Sequence, residues 1–347
     1  MKTRILAVTG FIAAVTSLGM AQQPMSLLFK VDDGGTLSWL NGNNQTRGMT
    51  YNPLTDHVLV ADNDSGAGNK IHVLDPVTGA EIGSGLNNTG IGGGTVNVAK
   101  VGVAQDGRIY LSNIALAGNN FRLYAYADET AAPTVAYAET PASVRLGDSI
   151  AVTGSGNTTK ILIAGMGNPN VALLTTTDGG QTFTKQELTL DVGLVGLSFV
   201  AWDPSGTDFW ARKAADTSTA ETTSVLYTIS GSTATAGGQK AVTPGKGALA
   251  VALKGAKKLM GLAPASVNAG DTDVKGVVWD LDSDTPFAVT GSGIEKAGGA
   301  AANLNGTGDV AIDPQNGRVW FLYTNNSVSG WLLPSGSTAV KDWNLFE

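Results

Sequence analysis

Apolar and polar positions along this chain alternate in short runs, and the runs come in pairs. GMTYNPLTDHVLVAD, from Gly48, sets an apolar stretch, a polar Asn-Pro turn and a second apolar stretch in order. The figure returns as VGVAQDGRIYLSN from Val101, SIAVTGSGNTTKILIAG from Ser149, SFVAWDPSGTDFWAR from Ser198, ALAVALKGAKKLMGLA from Ala248 and DVAIDPQNGRVWFLY from Asp309. A period of two predicts half-buried strands, and the Asn, Asp, Pro and Gly between them predict tight turns. A second hairpin follows each pair: KIHVLDPVTGAEIG, FRLYAYADETAAPTVAYAE, VALLTTTDGGQTFTKQEL, VLYTISGSTATAGG, GVVWDLDSDTPFAVTG and SGWLLPSGSTAVKDW. The units start 53, 48, 49, 50 and 61 residues apart, which predicts a repeat of four antiparallel strands, A to D. No unit can bury both of its faces alone, so the units are expected to stack in a ring. The fold expected is an all-β propeller of six four-stranded blades.

The ends of the chain bear on how the ring closes. SLLFKVDDGGTLSWLN, near the N-terminus, reads as a C–D hairpin that leads into the first A strand. Pairing an N-terminal strand with the last blade would leave no free sheet edge. The last unit also reads as holding its own C–D pair, so seven blades, one of them built from both ends, is the alternative.

Composition places the chain in a compartment. MKTRILAVTGFIAAVTSLGMA has a cationic start, an apolar middle and small residues at Gly19 and Ala21, the pattern of a signal peptide cleaved after Ala21. Its apolar run is shorter than the ~20 residues a membrane span needs. Residues 22–347 are then expected to form one propeller domain, with no membrane span. Removing residues 1–21 takes away two cations and no acid, so the formal charge moves from −7 to −9. An acidic chain repels phosphate backbones, which argues against nucleic acid as a partner. The chain has no cysteine, so in an oxidising compartment its stability rests on packing alone. A secreted protein, periplasmic or extracellular, is expected.

The strings RGMTYNPLTDHVLVAD, IHVLDPVTGAEIG, VGVAQDGRIYLSN and LGDSIAVTGSGNTTKILIAG resemble a family of secreted bacterial propellers of uncharacterised function. HVLDPVTG is also similar to blade repeats of surface-layer and quinoprotein-like propellers. TTDGGQTF matches the Asp-box pattern of sialidases and related propellers, with Thr176, Asp178, Gly180 and Phe183 in its key positions. The resemblance implies a fold and an export route, and it carries no activity.

Candidate chemistry is sparse. His57 and His72 have no histidine or cysteine near them in sequence, so zinc or nucleophilic triads lack material. An Asp-box is a turn device, and the sialidase pattern also needs three arginines around one carboxylate. Among the acids, Asp62 and Asp64 follow a B strand and could hold calcium on the face where B–C and D–A loops meet. Asp280, Asp282 and Asp284 have a calcium-like spacing too, but they align with C–D turns. The same B–C/D–A face should collect Arg47, Lys100, Arg145, Arg212, Lys213 and Lys246, a partial ring of cations for an anionic or polyhydroxylated ligand. The function expected is non-enzymatic binding or scaffolding of an envelope protein, a glycan or another extracellular ligand. The alternative is a lactonase- or glycoside-hydrolase-type propeller enzyme that uses channel-mouth acids, with or without calcium.

Overall fold

The computed structural model describes residues 23–64, 69–140, 142–194, 196–215, 223–242, 247–264, 268–303 and 306–335. The signal-peptide assignment and Lys246 lie outside them. The fold is all-β: the described residues hold twenty-three strands, no α-helix and one 3-10 turn at Gly156–Thr158. No helix among them is long and apolar enough to cross a membrane.

After β1 (Gln23–Asp32) the strands run in antiparallel meanders. The first holds β2 (Thr46–Asn52), β3 (His57–Asp62) and β4 (Lys70–Leu74); in place of the fourth strand expected there, Leu74 makes a single bridge to Glu81. The second is β5 (Val96–Val103), β6 (Ile109–Ile114), β7 (Phe121–Tyr126) and β8 (Thr134–Glu139), and the third is β9 (Ser149–Thr153), β10 (Lys160–Ala164), β11 (Val171–Thr175) and β12 (Thr184–Leu190). The fourth is β13 (Leu197–Trp202), β14 (Asp208–Ala215), β15 (Thr223–Ser230) and β16 (Thr233–Ala241). The fifth is β17 (Leu249–Lys254), β18 (Lys257–Leu262), β19 (Val277–Asp280) and β20 (Thr285–Thr290). The last is β21 (Gly308–Asp313), β22 (Arg318–Tyr323) and β23 (Ser327–Leu332).

β1 lies antiparallel to β23, with Leu27 opposite Trp331 and Asp32 opposite Ser327. It therefore fills the fourth place of the last meander, and only one strand forms where the N-terminal segment reads as a hairpin. Short parallel contacts of β1 with β20, and of β12 with β16, join meanders in pairs, so two of the sheets count eight strands.

The turns explain why the hairpins form where they do. Asn52, Asp203 and Asp313 each close the first strand of a unit, and their side chains accept the backbone N–H two residues on, at 3.1, 3.1 and 3.0 Å. These Asx turns reverse the chain without calling on a distant partner. The residue that needs a left-handed backbone is Gly in four of the units (Gly107, Gly206, Gly255, Gly317) and Asp56, at φ 56°, in the first.

Alternation within each strand sends apolar side chains to both faces of a meander. Leu59, Ile71 and Val73 of the first meander meet Val101, Leu111 and Tyr124 of the second. Similar layers lie between the second and third, and between the third and fourth. A larger core takes in the fourth, fifth and sixth, and Trp320, Leu322 and Phe29 meet Val58, Val60 and Leu74 between the sixth and the first. The first strands pack in the same order: β2 on β5, β5 on β9, β9 on β13, β13 on β17, β17 on β21, and β21 on β2. They enclose a channel of about 260 Å³, walled by residues such as Met49, Val101, Ile150, Trp202, Val251 and Ile312.

Candidate functional site

Polar groups gather where the first strands begin. Lys100, on β5, is 2% exposed, and its ammonium is bonded to Asp309, which lines the channel. It donates to the carbonyls of Arg47 and Gly308, each at 2.7 Å, and to Asp309 Oδ2 at 3.3 Å. The face of Phe199 lies 4.9 Å away, on the strand β13. One side chain thus ties β2, β5 and β21 together. Burial lowers the Lys100 pKa, with Asp309 opposing it, and burial raises that of Asp309, with Lys100 opposing it. Asp309 keeps 18% of its side chain exposed, lines the channel and accepts the Met49 N–H at 3.1 Å.

Arg145 and Asp148 come from the loop before β9. The guanidinium binds the carboxylate through two bonds, Nε at 2.7 Å and Nη2 at 2.6 Å, and Asp148 also accepts the Met166 N–H at 2.8 Å. Arg47, near the start of β2, feels the charges of this pair: Asp148 raises its pKa and Arg145 lowers it. It is the extra residue of a β-bulge, since Thr46 pairs with Asp62 and Gly48 with Ala61. A bulge re-aims its side chain relative to the sheet. Among the described residues the Arg47 guanidinium has no hydrogen-bond partner, its Nε is buried, and burial lowers its pKa.

The structure therefore brings Arg47, Lys100 and Arg145 to one end, and it also changes the expectation for one of them. Lys100 is not open to a ligand, because three internal acceptors use its donors. Arg212 is likewise buried, at 2% exposed, and borders a separate cavity of about 320 Å³ with Ser198, Thr223, Tyr227 and Gln239. Burial brings its pKa down to about 9. Lys213 contributes backbone to β14 opposite Ser198. The reading by cations alone missed Asp148 and Asp309. A signal for Asp309 was present, since an acid opens the sixth unit where the others carry neutral residues.

The two acidic groups differ from a gathered metal site. Asp62 is fully buried and accepts Thr46 Oγ1 and the Asp64 N–H, each at 3.1 Å, while Asp64 accepts Asn41 Nδ2 at 2.7 Å. Between them, Asn63 accepts the Asn97 and Val98 N–H groups and ties the first meander to the second. Asp280 pairs with Lys257 and caps its own turn through the Asp282 and Ser283 N–H groups. Asp282 accepts the Lys258 N–H at 2.8 Å, and Asp284 faces Lys240 at 3.5 Å, so the three carboxylates diverge. No cluster of three or more His, Cys, Asp or Glu fit for a metal occurs among the described residues.

In the Asp-box, Asp178 accepts the Thr176 hydroxyl and the Gln181 and Thr182 N–H groups, and the Thr182 hydroxyl besides. These bonds, the Thr182 hydroxyl first, hold its carboxyl well below the usual range. Gly180 accepts the Tyr110 hydroxyl on its carbonyl at 3.0 Å, and Phe183 meets the Tyr110 ring edge-on at 5.4 Å. The box docks the third meander on the second.

A buried group beside the site responds to pH. Burial pushes the Asp62 carboxyl up to about 6, and His72 Nε2 lies 4.0 Å away. His72 is held by Glu81 at 2.6 Å and stacked on Trp39 at 3.9 Å, and burial lowers its pKa. Asp64 and Lys70 also act on Asp62, in opposite senses. A carboxyl whose folded pKa is raised favours the fold below its unfolded value, near 4, and loses that contribution as pH rises through 6. Asp62→Asn should therefore gain on the parent by on the order of 3 kcal/mol between pH 4 and pH 7. His72 acts in the opposite sense in both proteins and cancels to first order. Urea unfolding at several pH values checks this; a difference independent of pH would show that Asp62 titrates normally.

No family model matches the chain, and no curated protein matches it. Solved structures do. A DUF4623 family protein from Bacteroides eggerthii DSM 20697 aligns with a TM-score of 0.61 at 16% identity, over 84% of this chain and 72% of that one. A chain of the mitotic checkpoint complex aligns with a TM-score of 0.52 at 10% identity, over 96% of this chain and 99% of that one. At such identities the likeness is one of all-β fold alone, and any activity must be read from this chain's own residues.

Proposed function

We propose that this chain is a six-bladed β-propeller, exported to the periplasm or beyond, that binds or scaffolds an envelope or extracellular ligand without catalysing a reaction. A glycan is the foremost ligand class. Six meanders, the last completed by β1, with first strands packed in a cycle, support the propeller reading. The observation that carries the binding reading is the placing of Arg47, near the start of β2, and Arg145, in the loop that enters β9, at one end of that cycle, where each acts on the other's charge. Binding faces are built from loops held by a rigid scaffold, and this end has both. Arg47 apart, titratable groups around it are engaged with one another, as in Arg145–Asp148 and His72–Glu81, which favours recognition over turnover.

A glycan array and a pull-down against envelope fractions should retain a ligand, and a hydrolase panel should show no turnover. Turnover with no ligand retained would abandon the binding reading. If Asp62→Ala then abolished that turnover in a folded protein, the hydrolase alternative would stand, since a carboxyl near pH 6 suits a general acid.

A further inference from the structure

The neighbourhood of Arg47 is one negative charge short. Among the described residues the groups that act on Arg47 and Lys100 are Arg145, Asp148 and Asp309 besides each other, which makes three cations and two carboxylates. Each carboxylate already has a cation bonded to it: Asp148 has Arg145, and Asp309 has Lys100. Arg47 is the cation left over, and it is the one with a buried Nε and no hydrogen-bond acceptor. A buried donor without a partner costs free energy that native proteins seldom leave uncompensated. The β-bulge at Arg47 is a further local irregularity, of a kind that clusters beside functional sites, and it sets this side chain apart from the pairing of its own strand.

We propose that the Arg47 guanidinium is the recognition group for a carboxylate on the ligand, seated beside the Arg145–Asp148 pair at the end of the first strands. The proposal rests on the binding reading above and names its ligand chemistry. A guanidinium offers a planar fork of donors that matches two carboxylate oxygens, and a single negative charge balances the cluster where a dianion would overshoot it. Lys100 has no part in this contact, because its donors are taken by Arg47 O, Gly308 O and Asp309. Arg145 acts as a positioning residue: its two bonds to Asp148 hold that carboxylate so that it does not turn to Arg47.

The test is calorimetric titration of the purified protein at low salt with glucuronate, acetate, glucose and sulfate, together with thermal unfolding of the unliganded protein. Glucuronate and acetate should bind, and glucose and sulfate should not. Arg47→Met should weaken glucuronate binding roughly ten- to hundredfold, the loss of charged hydrogen bonds. Because Arg47 has no hydrogen-bond partner among the described residues, the same variant should melt at the parent's temperature or above it, a result that a structural arginine would not give. Arg145→Met should melt lower, since it leaves Asp148 buried without its cation. Sulfate binding without carboxylate binding would overturn the carboxylate assignment, and so would a failure of every anion to bind. An Arg47→Met variant that melts well below the parent would overturn the recognition role. A neutral glycan retained on the array, with no anion bound, would keep the binding face and remove only this proposal.

Discussion

Lys100→Met is expected to lower the unfolding free energy by roughly 3–5 kcal/mol, the range for breaking a buried ion pair from one side. Methionine fills most of the same space, so the loss is chiefly polar. Two carbonyls, Arg47 O and Gly308 O, lose their donor, and Asp309 keeps only backbone N–H groups. Both carbonyls lie at the start of first strands, where Lys100 joins β5 to β2 and β21. The contact of its ammonium with Phe199 is lost as well, a smaller term of about 0.5–2 kcal/mol. Asp309→Asn should be costly too, because it leaves the ammonium without its counter-charge. The double variant should cost less than the two singles added together, by about 0.5–3 kcal/mol, as groups in direct contact do. Urea unfolding of the four proteins measures the cycle. A Lys100→Met variant within ~0.5 kcal/mol of the parent would show that this side chain does not hold the strands together.

Phe29→Ala should cost about 3–5 kcal/mol, as other buried phenylalanine truncations do. Phe29 is 7% exposed and sits on β1 opposite Gly330 of β23. Its ring occupies space that two glycines leave open: an added Cβ would lie 2.3 Å from it at Gly79 and 2.6 Å from it at Gly330. Gly79 belongs to the turn after β4 in the first meander, so the ring locks the strand that completes the sixth meander against the first. Gly330→Val should fail by the opposite route, since its side chain would also strike Trp320 at 2.8 Å. Loosening β1 would bare β23 as an edge strand, a template for pairing with other chains. Thermal unfolding with light scattering checks both parts. Phe29→Ala that melts like the parent without aggregating would show that the slot is not needed to hold β1 in place.

Much of the local structure was legible from residue types. Asn52, Asp203 and Asp313 turn the chain through bonds to their own neighbours two residues on, and such bonds need nothing from elsewhere in the chain. The same holds for the Asp-box, where Asp178 is bonded within residues 176–182. The strand at the N-terminus could be placed because alternation marks it and because pairing with the last meander leaves β23 no free edge. Alternation overstates the fourth strand of the first unit: IHVLDPVTGAEIG alternates well enough, yet only Leu74 and Glu81 bridge. Glu81 is instead spent on His72 and Trp39, two partners whose position alternation does not reveal.

The candidate site shows the same division. That Arg47, Lys100 and Arg145 lie just before or within first strands follows from the repeat, so their arrival at one end could be read from spacing. Whether each faces a ligand could not. Lys100 turns inward because Gly308, Asp309 and Arg47, distant in sequence, present acceptors around it, and Asp309 comes from 209 residues away. Arg47 is set apart by a bulge, a matter of register between two strands, and it lacks a carboxylate because Arg145 holds Asp148. By itself the sequence determined most of the strands, their turns and the order of the units, since these depend on periodicity and on bonds between near neighbours. Only the tertiary structure decided which charges are buried, which are paired and which one is left over, because desolvation and Coulomb attraction depend on distances between residues that the chain brings together only on folding.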